Sequence, residues 1–544
     1  MNVRNRAFFI AIVFLLSIQG KAQLVLNSSS LVIEPGGSIE VKGDIIANSS
    51  IVGNGKVVMN GTEVQSILMN GNTIPNLEVS NTSNVIVDGN LSIGKSVQFT
   101  SGKIILGNND LILSDSATTN GQGTDRFIVT TGIGKVRKFI STDLNQFEIP
   151  VGNGSKYLPI RISTTGSYTN AIVSVDAKNT AHPNRPSRST DYLNCYWSIS
   201  QSGITGTLRA SGKYDGFFAG NESDLRGITF SNGEWDLTNA GINTTEDTAG
   251  ALIPPTGADL YAMNRFVYLK DKVFLQGAYN AATGLMNDNL RTLASFPTSD
   301  PYRTAPYNAY FTHTANPVVE TIASPSTVLG VQPSPNDNIV DWVFLELRNA
   351  TASPGNSIVQ TRSALLQRDG DVVDVDGVSP VYFKNQDPGN YTIAVRHRNH
   401  LGLSTDPASS TVALTEKSTT PLIDMTTATD AQLFGSTNVN YAVVNGKNML
   451  YAGNVSGNGV VRYQGTNGPG PTNVSDRVAL LSDLGNNELN TLNTYQRGDV
   501  SMNGVTRYQG TNGPGTNNVS DRIFILGTVL GNNEIQTKTQ ALPN

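Results

Sequence analysis

The stretch Leu31–Gly61, LVIEPGGSIEVKGDIIANSSIVGNGKVVMNG, decides how the first part of the chain folds. Val, Ile and Leu alternate with polar residues in short runs, and Gly, Asn or Ser interrupts every few positions. Alternation at period two marks strands with one buried face, and the small polar interruptions mark tight turns. Asn76–Ser116, NLEVSNTSNVIVDGNLSIGKSVQFTSGKIILGNNDLILSDS, keeps the same rhythm. Almost no helix signal breaks it. Strands this short and this often repeated predict a β-solenoid from Leu24 to about Asn120, in which each rung buries its aliphatic residues on the rung below. An open β-sandwich is the alternative reading of the same pattern.

The N-terminus reads as an export signal over residues 1–22. Arg4 and Arg6 precede the apolar run AFFIAIVFLLSI, and Gly20 and Ala22 are small residues before a cleavage point. That run is short for a membrane span, and no later stretch is long and apolar enough to be one. An exported chain with no transmembrane segment after signal cleavage is therefore expected, placed outside the cell or on its outer surface, with the periplasm as an alternative. Removing Arg4, Arg6 and Lys21 from 38 basic residues leaves 35 against 43 acidic ones, a net charge of −8. Charged residues make up 15% of the chain, against roughly 25% in ordinary soluble domains. No basic patch is visible, so no nucleic-acid partner is expected. Cys195 is the only cysteine, so the chain has no internal disulfide and must hold itself by core size, repetition or metal.

The segment Met59–Leu113 resembles one common in large exported Bacteroidetes surface proteins of the adhesin-like or haemagglutinin-like kind. The residues that carry the resemblance are Gly61–Ile67, Asn76–Asn81 and the run GKIILGNNDLIL at Gly102–Leu113. It implies export and a surface role.

Four regions follow the signal: a solenoid-like region 23–125, a β-rich domain 126–264, an immunoglobulin-like β-sandwich region 265–432 and a duplicated tail 433–544. In the second, FEIPVGNGSKYLPIRI reads as two strands around a Gly-Asn-Gly turn. Tyr192, Tyr196 and Trp197 flank Cys195 there. They read either as an aromatic platform for sugar rings or as core filling. In the third, VDWVFLELR offers Trp342, Phe344 and Leu347 as core. Tyr391, after an Asp-Pro-Gly turn and before alternating Ile393 and Val395, resembles the corner of immunoglobulin-like sandwiches. The segments FLQGAYN, LRTLASFPTSDPY, VDWVFLELR and AVRHRNHLG also resemble a unit that precedes calcium-loop tails in exported Bacteroidetes proteins.

Catalytic signals are thin, and no catalytic residue is nominated. The histidines are His182, His313, His397 and His400. On one continuous strand His397 and His400 would point to opposite faces, which makes a poor metal pair. No HExxH or GxSxG motif is present. Asp369, Asp371, Asp374 and Asp376 in DGDVVDVDG read either as glycosidase carboxylates or as a hairpin with solvated acids.

The tail carries the strongest motif. AGNVSGNGVVRYQGTNGPGPTNVSDRVALLSDLGNNE begins at Ala452, and RGDVSMNGVTRYQGTNGPGTNNVSDRIFILGTVLGNNE begins at Arg497. Asn454 aligns with Asp499 and Asp476 with Asp521, each a step of 45 residues. Asn454, Ser456, Asn458 and Gly459 in the first copy match Asp499, Ser501, Asn503 and Gly504 in the second. Oxygen-bearing side chains at loop positions 1, 3 and 5, with Gly at 6, suit Ca²⁺, and the carbonyls of Val460 and Val505 are the seventh-position ligands. The pair resembles the duplicated EF-hand-like loops of dockerin modules. That resemblance implies an acid at position 12 with apolar residues four and eight later, and a cohesin-like partner. Position 12 holds Gly465 and Gly510 instead, and the pattern reappears eleven residues on: Asp476 with Leu480 and Leu484, Asp521 with Ile525 and Val529. RYQGTNGPG then reads as an insertion, and Asp476 and Asp521 inherit the last-ligand role. The second loop, with more carboxylates, is expected to bind calcium more tightly.

The expected function is a non-catalytic adhesion or structural protein with a calcium-binding tail, partnered by polysaccharide or a cell-surface protein. The alternatives are a carbohydrate-associated protein docked to a polysaccharide-processing assembly and a secreted hydrolase with an unrecognised site. No separate C-terminal sorting sandwich is expected after the tail.

Overall fold

The computed structural model describes residues 23–238, 240–350, 357–466, 473–511 and 519–543. The expected signal at 1–22 lies outside them, as do 467–472 and 512–518 of the two expected insertions. The chain is mainly β and separates into two compact units, the first ending at Asn264 and the second beginning at Arg265.

The first unit begins as a β-solenoid-like stack. Leu24–Leu26, Ile45–Ala47, Gln65–Leu68, Val85–Val87, Ile104–Ile105, Ile128–Val129 and Val151–Asn153 pair in parallel, one rung on the next. A second parallel ladder runs through Ser38–Val41, Lys56–Met59, Thr73–Ser80 and Leu91–Ser101. Register makes columns of identical chemistry. Val85, Ile104, Ile128 and Val151 lie directly over one another, and all are fully buried. The ladder passes the expected boundary at 125, because Ile128 and Val151 repeat the apolar step of the earlier rungs. Gln65, 1% exposed, ties rungs together from inside. Its Oε1 accepts from the Gly61 amide at 2.7 Å and from Asn81 Nδ2 at 2.9 Å, while its Nε2 donates to the carbonyls of Val41 and Gly43.

The stack then passes into an antiparallel sheet. Val136–Ile140 pairs with Ala171–Val175, and Val151–Asn153 turns back onto Lys156–Tyr157. The long strands Ile160–Lys178 and Tyr196–Lys213 pair along most of their length. Cys195 and Trp197 are fully buried, and Trp197 Nε1 donates to the Leu158 carbonyl at 2.9 Å. Trp197 is core here, while Tyr196 is half-buried with its ring 4.8 Å from that of His182, and Tyr192 stacks under the Arg185 guanidinium at 3.8 Å.

The second unit is built on a nine-stranded sheet whose centre is Ile339–Asn349 between Ile358–Gln367 and Gly389–His397. Trp342, Phe344 and Leu347 are fully buried. One apolar cluster runs from Val267 through the sheet to Leu480, Leu484, Ile525 and Val529 of the tail, so sheet and tail share a core. The expected apolar spacing after Asp476 and Asp521 is realised in a helix at Asp476–Asp483 and a helical turn at Asp521–Ile523 that widens into a π-helix at Phe524–Val529. An acid in the first turn of each faces the positive end of the helix dipole. Among the described residues no helix is long and apolar enough to cross a membrane.

Candidate metal centre in the tail repeat

The two tail loops fold alike. In each, the amide at the sixth position turns back to the side chain at the first: Gly459 N donates to Asn454 Oδ1 at 3.2 Å, and Gly504 N to Asp499 Oδ2 at 2.8 Å. Gly459 and Gly504 have φ of 78° and 86°, the left-handed region in which glycine is unstrained. Asn458 Oδ1 accepts from Val460 N, and Asn503 Oδ1 from Val505 N, both at 2.9 Å.

The distant aspartates close the loops. Asp476 Oδ1 accepts from the Ser456 amide and hydroxyl, each at 2.9 Å, and its Oδ2 accepts from Arg462 N at 2.8 Å. Asp521 repeats the pattern on Ser501 N at 3.2 Å and Arg507 N at 2.9 Å, with a further bond from Val500 N at 3.0 Å. Ser501 Oγ reaches Asp499 Oδ1 at 3.4 Å. The structure thus gathers Asn454, Ser456 and Asp476 at one loop and Asp499, Ser501 and Asp521 at the other. Asn458 and Asn503 stand at the loop turns. Val460 lies in a strand paired with Thr537–Thr539, and Val505 precedes the strand Thr506–Arg507.

All these donors are oxygens, the set a hard cation takes. Asp476, Asp499 and Asp521 are at most 1% exposed. Burial pushes the Asp476 carboxyl up to about 7, although the Ser456 and Arg462 amides work against this. Burial also raises Asp499, while the Arg398 guanidinium opposes it. Asp521 is raised well above the usual range by burial and by the charge of Asp499 beside it. A divalent cation reverses that logic, because it favours the ionised form. The side chains gathered here bring an amide and two hydroxyls as well as acids. Among the described residues no group of three or more His, Cys, Asp or Glu gathers as a metal site.

The HRNH motif holds the loops from outside the repeat. His397 and His400 do not lie on opposite faces of one strand, as expected from a continuous run. The strand turns at Arg398–Asn399, so the two histidines face each other across a hairpin with Nδ1 atoms 3.0 Å apart. His400 Nε2 accepts from Gly277 N at 3.1 Å, which assigns its proton to Nδ1. His397 then donates from Nε2 to Asp341 Oδ2 at 3.0 Å. Burial lowers the pKa of both rings.

At the hairpin tip, Asn399 is fully buried. Its carbonyl accepts from Gly453 N at 3.0 Å and Asn454 N at 2.9 Å, at the mouth of the first loop. Its side-chain amide donates to the carbonyls of Arg497 and Asp499, both at 2.8 Å, at the mouth of the second. Arg398 Nε bonds Asp341 Oδ2 at 3.0 Å, its Nη1 donates to the Gln496 carbonyl, and its guanidinium lies 4.5 Å over the Tyr495 ring. Tyr495 Oη closes the knot on Asp341 Oδ1 at 2.7 Å. Sequence reading missed Asp341, Arg398, Asn399 and Tyr495. The only signal was a polar hairpin tip between apolar strands.

The acids of DGDVVDVDG are not a solvated set. Asp374 is 4% exposed and pairs with Arg362, because it faces inward from the sheet. Asp369 and Asp371 pair with Lys272 at 3.5 and 3.1 Å, and Asp376 Oδ1 caps the turn amides of Val378 and Ser379. A second buried knot joins Asp300 to Arg303 at 3.2 Å and to His313 at 3.3 Å. Burial, with Arg303 adding to it, pushes His313 down to about 4. Ser363 beside it is fully buried, so no substrate reaches its hydroxyl. No family model, curated protein or solved structure matches the chain.

Proposed function

We propose that this chain is a non-catalytic, exported surface or matrix protein whose tail repeat binds Ca²⁺ and thereby stiffens the second unit. The observation that carries the reading is the second loop, where Asp499 and Asp521 are both buried and the charge of Asp499 adds to burial in raising the proton affinity of Asp521. A cation between oxygen donors removes that repulsion. The first loop offers Asp476 with Asn454 and Ser456 and binds more weakly. We read residues 265–432 as an immunoglobulin-like sandwich, supported by Tyr391 Oη donating to the Asp387 carbonyl at 2.6 Å in the manner of a tyrosine corner.

Stiffening is favoured over free docking because the loops pack inward. A Cβ at Gly457 would meet the Tyr310 ring at 2.7 Å, and one at Gly504 the Leu293 side chain at 3.5 Å. One observation favours a cohesin-like partner as a second reading. Val478 and Ile523, equivalent in the repeat, are 45% and 41% exposed and offer a matched apolar pair. The test is calorimetric Ca²⁺ titration of the full-length protein, with thermal melting in calcium and in EDTA. The expected result is a tighter event lost on Asp521→Asn and a weaker one lost on Asp476→Asn. Absence of binding heat together with an unchanged melting temperature would refute calcium binding.

A further inference from the structure

We propose that the outer face of the first unit's antiparallel sheet binds a polyanionic glycan, a sugar chain bearing carboxylates or sulfate esters. Four neighbouring strands build the face: Ile160–Lys178, Tyr196–Lys213, Thr248–Ile253 and Ala240–Asn243. Ile160, Ile162, Leu208, Ala210, Ala249 and Ala251 turn inward and are buried. The alternate residues therefore point outward. Register sets Arg161 opposite Ser211, Ser163 opposite Arg209, and Gly250 between Ser211 and Gly241. The facing glycines leave the floor low, and a hollow of about 520 Å³ lies over it.

The lining chemistry selects the ligand. Arg161 and Arg209 contribute two guanidiniums, and among the described residues no carboxylate lines this hollow. They occupy diagonal positions on paired strands, about 7–8 Å apart at Cα. Arg161 is partly neutralised by Glu148 at 3.3 Å. Arg209 is exposed and makes no ion pair or side-chain hydrogen bond among the described residues. A local positive site on a chain of net charge −5 complements an anion, and guanidinium matches carboxylate or sulfate geometry with paired bonds. The remaining groups are hydroxyls and amides, from Ser163, Ser211, Thr248, Asn243 and Gln146, which suit a polyol. Among the described residues no aromatic ring lines the hollow, so neutral sugars lack a stacking surface and nucleobases lack a platform there. An adjoining hollow of about 290 Å³ shares Arg161 and Ser211 and adds Lys213, but Glu148 and Glu246 line it too, so the anion is held in the first hollow, at Arg209.

The test is binding of the full-length protein to immobilised polygalacturonate, dextran sulfate and neutral dextran, in EDTA and in calcium. Binding to an anionic polymer in EDTA, falling with salt and absent on dextran, is expected. Polygalacturonate against dextran sulfate separates carboxylate from sulfate. Arg209→Ala should weaken binding about tenfold, as loss of a charge-assisted hydrogen bond does. Gly241→Glu should weaken it at least as much. A Cβ there meets nothing within 4 Å, so the side chain enters without a clash and places a carboxylate in the hollow; an unchanged melting temperature checks that the variant is folded. Lys42→Ala, at a 65% exposed cation elsewhere, should change nothing. No binding to either polymer would overturn the proposal. So would equal losses in all three variants, or binding that requires calcium and ignores Arg209.

Discussion

Asn399→Ala tests whether the hairpin tip holds the tail in place. The substitution removes two donors that reach the carbonyls of Arg497 and Asp499 at 2.8 Å from a fully buried side chain. A buried carbonyl left without a partner costs about 1–3 kcal/mol, so two cost roughly 3–4 kcal/mol after partial relaxation. The backbone carbonyl of residue 399 still accepts from Gly453 and Asn454, so the first loop keeps its tether. The expected signature is therefore lopsided. Hydrogen exchange followed by mass spectrometry on the full-length protein should show opening at 497–505 faster by ~100-fold or more, with 453–460 changed far less. Unchanged protection at 497–505, or equal loosening of both loops, would refute the argument that the side chain and main chain of one residue serve different loops.

Other outcomes are equally specific. Burial pushes Asp271 up to about 8, so the folded state binds the proton more tightly than the unfolded one. Stability should then fall as pH rises from about 4 to about 8, and Asp271→Asn should flatten that slope in urea titrations across pH. Cys195 is fully buried, and burial raises its thiol pKa. It should resist iodoacetamide in the native protein and react on denaturation, read by mass spectrometry. Gln65→Leu leaves the Gly61 amide and the Gly43 carbonyl without their Gln65 partner inside the stack and takes one of two bonds from the Val41 carbonyl, which keeps Asn60 N. It should cost about 2–4 kcal/mol in denaturant unfolding, whereas Glu78→Gln on the partly exposed Lys56 pair should cost under ~1 kcal/mol.

The first unit was readable because its core is nearly local. Val85 and Ile104 find their partners one rung away, and the same alternation recurs at each rung. The end of the ladder was less readable, since Ile128 and Val151 stand among less regular residues. The tail loops were visible through duplication alone, which aligned Asp476 with Asp521 and Ser456 with Ser501 before any contact was known. What holds them was hidden. Asn399 meets residues 453–454 and 497–499, and no local pattern encodes such a meeting. The histidine pairing was hidden by the assumption of a continuous strand, which the turn at Arg398–Asn399 breaks. Asp374 looked solvated because a glycine-rich acidic run resembles a surface turn, whereas Arg362 draws it inward.

The pairing of Val460–Arg462 with Thr537–Thr539 bears on how the protein is made. Gln540 N also donates to the Gly459 carbonyl at 2.8 Å, and Pro543 accepts from Arg348. The first loop is thus finished by a strand that leaves the ribosome, or any translocation channel, about 80 residues after it, a contact of long sequence separation. The solenoid rungs can settle one by one as they emerge. The second unit cannot, because its early sheet shares its apolar core with Leu480, Leu484, Ile525 and Val529, which emerge only with the tail. A chaperone acting during delivery would find its substrate there rather than in the rungs.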